Sequence, residues 1–216
     1  MLSGDAYAQL LTEHYQATNL LNAACRRMEE GLIGYKPDIL GVGLDAIFCG
    51  LNPATSAAEA GHNFSSPSNR FWRVLHLAGF TDVQLLAHDE QRLLEFGFGI
   101  TAVVRRPTRR AEEISGEEFR SARRSFEAKL RRYGPRSVAF LGKRAFSAMT
   151  KQPVVGWGRQ STEFAGTMTW VLPNPSGLNR NFTLDDLTTT YTEFRLALFA
   201  DAPTRSKQTR LGSLPV

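Results

Sequence analysis

A chain of 216 residues, 42% of them hydrophobic, can bury one substantial core and is read as one main domain with tails rather than two domains. It holds no run of about 18 apolar residues able to span a bilayer and does not start as a secretory signal does, so the expectation is a soluble, cytoplasmic protein. Two cysteines, Cys25 and Cys49, are too few for an iron–sulfur cluster or a Cys-only zinc site and are read as reduced buried thiols, while a net charge of +5, carried mostly by arginine, is compatible with nucleic acid without requiring it.

In chain order, Tyr7, Leu11, His14, Leu21, Cys25 and Met28 fall near helical spacing and predict a helix within residues 5–30, and the Gly-rich, Pro37-containing stretch Gly31–Leu44 reads as a linker. Ala46-Ile47-Phe48-Cys49 is a short apolar run ended by Gly50, as a strand buried on both faces should be. A long loop rich in Gly, Ser, Pro and Asn follows, until Arg70, Phe71, Val74, Leu75 and Ala78 predict a helix stopped by Gly79. Next come a helix over Glu90–Phe96 and a strand over Ile100–Val104. Ser115 with Glu118 is a capping-box pair, and Phe119, Ala122, Phe126, Leu130 and Tyr133 then mark one helical face before Gly134-Pro135. Val138–Leu141 predicts a strand, Arg144–Met149 a short helix, Met168–Leu172 a strand running into Pro173, and Leu184 to Leu198 a closing helix.

This alternation predicts an α/β fold, a three-layer α/β/α sandwich around a short, mainly parallel sheet. The domain reading is an extension and linker over residues 1–44, a main domain over 45–200, and a basic, flexible tail over 201–216. In an open parallel sheet the carboxyl ends of the strands form the binding crevice, which directs attention to the loops after the first and last strands. The first carries Gly50-Leu51-Asn52-Pro53-Ala54, then Gly61-His62-Asn63-Phe64 and Pro67-Ser68-Asn69-Arg70-Phe71-Trp72; the last carries Pro173-Asn174-Pro175-Ser176-Gly177-Leu178-Asn179-Arg180.

The segments GLNPATSAAEAGHNFSSPSNRFW, RRPT, FLGK and LPNPSGLNR, in this order between about Asp45 and Phe199, resemble the mismatch-specific uracil and thymine DNA glycosylases, a branch of the uracil-DNA glycosylase superfamily. The resemblance implies cofactor-free hydrolysis of the N-glycosidic bond of a base flipped from double-stranded DNA carrying G:U or related mismatches; no metal is expected, and the chain is expected to act as a monomer. It implies that Asn52 holds the attacking water. An amide has no useful pKa, so its contribution must be positioning and charge stabilisation, sufficient when the bond breaks largely before water adds. Taken alone, an Asn-Pro pair is more often a turn; the joint match reverses that reading. Phe64 falls where the family stacks an aromatic on the base, backbone groups near Leu51 and Phe64 are expected to read the base, and Asn69 and Asn174 are further polar candidates. Leu178 would plug the gap in the duplex, with Gly177 and Arg180 at the widowed guanine.

Three departures stand out: Ala54 replaces a glycine, Ala102 stands where bacterial relatives can carry a lysine, and the first 44 residues have no counterpart in short members of the family. His62 is read as a partly solvated loop residue rather than as a group acting on the leaving base, and His14, His76 and His88 lack metal-ligand spacing. Glu59, Asp89 and Glu95 are rival carboxylates for activating water. A doubly wound nucleotide-binding enzyme is disfavoured because neither GxGxxG nor GxxxxGK[ST] occurs; the remaining alternative is a non-catalytic DNA-binding module of the same fold.

Overall fold

Residues 37–200 are described by the computed structural model, in which five strands form one sheet in the order β2-β1-β3-β5-β4. They are β1 (Ala46–Gly50), β2 (Phe98–Ala102), β3 (Ser137–Leu141), β4 (Gly158–Arg159) and β5 (Met168–Leu172). β2, β1, β3 and β5 run parallel, with Ala46 opposite both Phe98 and Ser137, and Leu141 opposite Leu172; β4 closes one edge antiparallel to β5.

Because side chains alternate across a strand, each central strand feeds two cores. Ala46 and Phe48 join Phe71, Phe80, Phe98, Tyr191 and Phe194 on the face covered by α2 (Phe71–Leu77) and α5 (Leu184–Ala200). Ile47 and Cys49 join Phe119, Phe126, Phe140 and Phe146 on the face covered by α3 (Gly116–Tyr133) and α4 (Lys143–Thr150). Phe48 centres the first core, with Phe71 and Phe194 edge-on at 5.5 and 6.0 Å and Tyr191 stacked at 6.2 Å. The three-layer α/β/α architecture with a mainly parallel sheet is therefore as expected. Burial also pushes the Cys49 thiol up, so this free cysteine is inert.

The capping box forms as read from sequence: Ser115 Oγ accepts the Glu118 N–H at 3.1 Å, and Glu118 Oε2 accepts the Ser115 N–H at 3.0 Å. That backbone donor, helped by the Arg106 guanidinium, holds the Glu118 carboxyl below the usual glutamate range.

Other expectations are corrected. β2 starts at Phe98, two residues earlier than the predicted strand, because Gly99 is part of the ladder; a Cβ there would lie 2.6 Å from the Ile39 carbonyl. Ile39 itself, in the stretch read as linker, is buried and exchanges hydrogen bonds with Ile100 at 2.8 and 2.9 Å. The helix expected over Glu90–Phe96 is a 3-10 segment beginning at Ala87. The long loop after β1 contains α1 (Thr55–Ala60), six residues capped by left-handed Gly61, and β4 is two residues long; both are too short to show a period. The predicted helix within residues 5–30 and the tail over 201–216 lie outside the described residues.

Candidate active site

The carboxyl ends of the parallel strands open into a cleft of about 340 Å³, walled by the loops after β1, β2 and β5. Leu51, Asn52, Phe64, Asn69, Asn174 and Leu178 all line it, so two loops more than 100 residues apart in the chain converge there.

Asn52 follows β1 by two residues, and its amide nitrogen donates to Thr108 Oγ1 at 2.8 Å, Arg106 O at 2.9 Å and Pro53 O at 3.0 Å. Thr108 Oγ1 gives its own proton to Arg110 O at 2.8 Å and so can only accept from Asn52. This sets the orientation of the amide without ambiguity. Oδ1, which no described residue engages, remains as an acceptor for a hydrogen-bond donor in the cleft. The RRPT loop that orients it is stitched to the GLNP loop by Thr108 N–H to Pro53 O at 3.1 Å and Thr55 N–H to Thr108 O at 3.0 Å. Thr108, buried, was not singled out as a site residue in the sequence; 56 positions separate it from Asn52, and only pairing of the two loops relates them.

Phe64 has a φ of 54°, left-handed for a residue with a bulky side chain, a conformation costing about 1–3 kcal/mol. Its surroundings compensate. The ring stacks on buried Phe71 at 3.9 Å and 24°, the neighbouring Asn63 N–H and side chain donate to Glu90 Oε2 at 2.7 and 3.0 Å, and Trp72 Nε1 donates to Asn63 O at 3.2 Å. Phe64 is thus a supported aromatic platform in the cleft wall. Glu90, an acid in the 3-10 segment that sequence reasoning passed over, is the buried anchor of this loop. His62 is 40% exposed by side chain, lies 3.3 Å from Glu90 and does not line the cleft.

Gly50 O and Leu51 O accept the Val103 and Val104 N–H groups at 3.1 and 3.0 Å, so the Leu51 carbonyl expected to read a base is already engaged with the β2 loop. Asn69 Oδ1 accepts the Phe71 N–H at 3.0 Å and starts α2, and Asn174 Oδ1 accepts the Ser176 N–H at 2.9 Å. Each of these asparagines keeps only its NH2 donors for a ligand. Ala57 and Ala102 are buried beside the cleft.

The loop after β5 is held from two sides. Buried Tyr191 donates to Pro173 O at 3.1 Å, and the Arg70 guanidinium donates to Phe182 O at 2.6 Å, to Ser176 O and Asn179 O each at 2.9 Å, and to Pro175 O at 3.3 Å. Gly177 abuts Ser68 so closely that a Cβ would sit 2.5 Å from the Ser68 Cβ and 2.6 Å from its carbonyl. On this braced loop Leu178 stands 82% exposed, and Arg180 is exposed with no partner among the described residues. Arg70 is a third residue, after Thr108 and Glu90, whose work was invisible in sequence, since its acceptors lie 105 to 112 positions away.

Of the rival carboxylates, Asp89 accepts the Leu86 N–H at the start of the 3-10 segment and Glu95 pairs with Arg92 at 3.8 Å; neither they nor Glu59 line the cleft. Among the described residues no three His, Cys, Asp or Glu side chains are grouped as metal ligands would be.

Residues 37–199 match the family model of the uracil DNA glycosylase superfamily. In fold the chain is similar to the solution structure of a provisionally assigned uracil DNA glycosylase from Methanosarcina acetivorans, with a TM-score of 0.52 and 19% identity, covering 74% of this chain and 96% of that one.

Proposed function

The chain belongs to the uracil DNA glycosylase superfamily, and from that premise we propose that it is a monofunctional, mismatch-specific uracil-DNA glycosylase, acting as a cytoplasmic monomer on double-stranded DNA. The observation that carries this reading is the fixed Asn52 amide, whose three NH2 acceptors leave Oδ1 as its one available polar atom in a cleft walled by Phe64.

In the proposed reaction uracil leaves the duplex and stacks on Phe64, whose other neighbour is Phe71. The C1′–N1 bond breaks, its electron pair moves to uracil N1, and charge spreads to the uracil oxygens, where the NH2 groups of Asn69 and Asn174 are donor candidates. A water accepted by Asn52 Oδ1 adds to C1′ of the oxocarbenium-like sugar, and its proton passes to the departing base or to solvent. Leu178 occupies the space left in the stack. Gly177 backbone and Arg180 meet the widowed guanine, which favours G:U over A:U because adenine offers a different edge.

The test is a duplex assay for abasic product on G:U, A:U and G:T substrates. G:U is expected to be processed fastest and G:T slowest, because the thymine methyl must fit beside Ala57 and Phe64. Thymine released as fast as uracil would sink the base preference, and tight binding without abasic product would reduce the protein to the non-catalytic alternative.

A further inference from the structure

Trp157 is the feature that the proposed reaction leaves unexplained. It is 42% exposed, whereas the chain's two other tryptophans, Trp72 and Trp170, are 7% and 6% exposed. Beside it, Val154 is 86% exposed on a segment pinned by buried Val155. Two large apolar side chains in water on one short loop call for a cover.

The loop is built rather than loose. Gln160 Nε2 donates to Gly156 O at 3.1 Å and Gly158 O at 3.0 Å, bracing the turn that carries the indole. Lys143 Nζ lies 4.4 Å from the Trp157 ring centroid, and Phe182 packs edge-on at 5.3 Å. Phe182 is also the residue whose carbonyl Arg70 holds together with those of Ser176 and Asn179, so Trp157 and the Leu178 loop belong to one braced unit.

Position and charge identify the occupant. Gly158 pairs with Val171 antiparallel, which puts Trp157 level with the carboxyl end of β5, on the side of the sheet where the cleft opens. From Gly142 to Gln160 the chain carries Lys143, Arg144, Lys151 and Arg159 and no acidic residue; Arg144 is turned to the carbonyls of Ala111 and Ile114, so the cation at the indole is Lys143. An apolar segment with cations and no carboxylate of its own, continuous with the wedge loop through Phe182, matches a sugar–phosphate backbone.

We propose that Trp157, with Val154 and Lys143, forms a second duplex-contacting surface that grips the DNA backbone beside the wedge loop. The proposal rests on the reading above only in taking DNA as the ligand; it does not require excision. Since Trp157 is the one exposed tryptophan, acrylamide quenching of intrinsic fluorescence in the full chain reports on it directly, without a variant that might disturb Phe182. At saturation with a duplex carrying a tetrahydrofuran abasic site opposite guanine, the quenching slope is expected to fall at least about twofold, and Trp157→Ala to weaken binding about fivefold or more. A Trp157→Phe protein, measured in parallel, should lose the protectable fluorescence while keeping its fold. Duplex binding with unchanged quenching overturns this surface and leaves the glycosylase reading intact. Protection of Trp157 in a protein that makes no abasic product supports the surface and removes the enzyme. A failure to bind duplex at all overturns both.

Discussion

At the scale of the residue, the telling feature is an amide with two protons and three acceptors. Asn52 has no freedom to exchange its oxygen and nitrogen, because Arg106 O and Pro53 O accept only and Thr108 Oγ1 has spent its proton on Arg110 O. If Oδ1 holds the water, Asn52→Ala should slow single-turnover uracil excision by about a hundredfold or more. The wild-type rate should stay flat between about pH 6 and pH 9, since an amide does not titrate. Thr108→Val, nearly isosteric at a buried position, removes one of the three acceptors. We expect it to lower the single-turnover rate about tenfold while duplex affinity stays constant, and Thr108→Ser to restore the rate. A Val variant of full activity would show that the remaining carbonyls suffice. Asn52→Ala retaining most of the wild-type rate would remove the water from Asn52 altogether.

At the scale of the element, the wedge loop separates two kinds of contribution. Leu178 is exposed and supports nothing in the free protein, so Leu178→Ala should leave thermal stability unchanged and reduce flipping and affinity. Arg70 points the other way, away from ligand, with four acceptors on the loop. Arg70→Met should cost about 2–3 kcal/mol of stability, because charge-assisted bonds to four carbonyls are lost, and should also impair excision by releasing the loop. Denaturant melts paired with single-turnover rates distinguish the two variants. Equal stability losses in both would mean that the loop is not organised from Arg70. The sequence pattern could locate this loop after β5 but not its brace, because Arg70 reads there as one more residue at the start of a helix.

At the scale of the whole molecule, the charge of +5 becomes informative only once the fold distributes it. Several arginines are spent internally: Arg106 on Glu118, Arg136 on Asp45, and Arg144 on the carbonyls of Ala111 and Ile114. Arg180, by contrast, is exposed beside Leu178 without a partner among the described residues. Replacing it with alanine should therefore reduce the slope of log affinity against log salt by about one. An unchanged slope, with unchanged excision, would take Arg180 out of the DNA interface.

What the sequence determined by itself was the layered α/β architecture and the two loops worth examining. Both are local signals: the strand and helix periods, the Ser115–Glu118 box, and the two Asn-Pro loops at strand ends are each written within a few consecutive residues. It missed α1 and β4, which are shorter than one period, and started β2 late because Gly99 looks like a break until Ile39 is seen pressed against it. What only the tertiary structure decided was the setting of the side chains: Thr108 on Asn52, Glu90 under Asn63, Arg70 across the wedge loop, and Phe71 behind Phe64. Most of these partnerships join residues tens of positions apart. They exist because the parallel sheet sets the carboxyl ends of β1, β2 and β5 along one edge, where their loops converge, and the 3-10 segment before β2 packs against the loop after β1; hydrogen-bond geometry there is a property of the assembled sheet, not of any one segment.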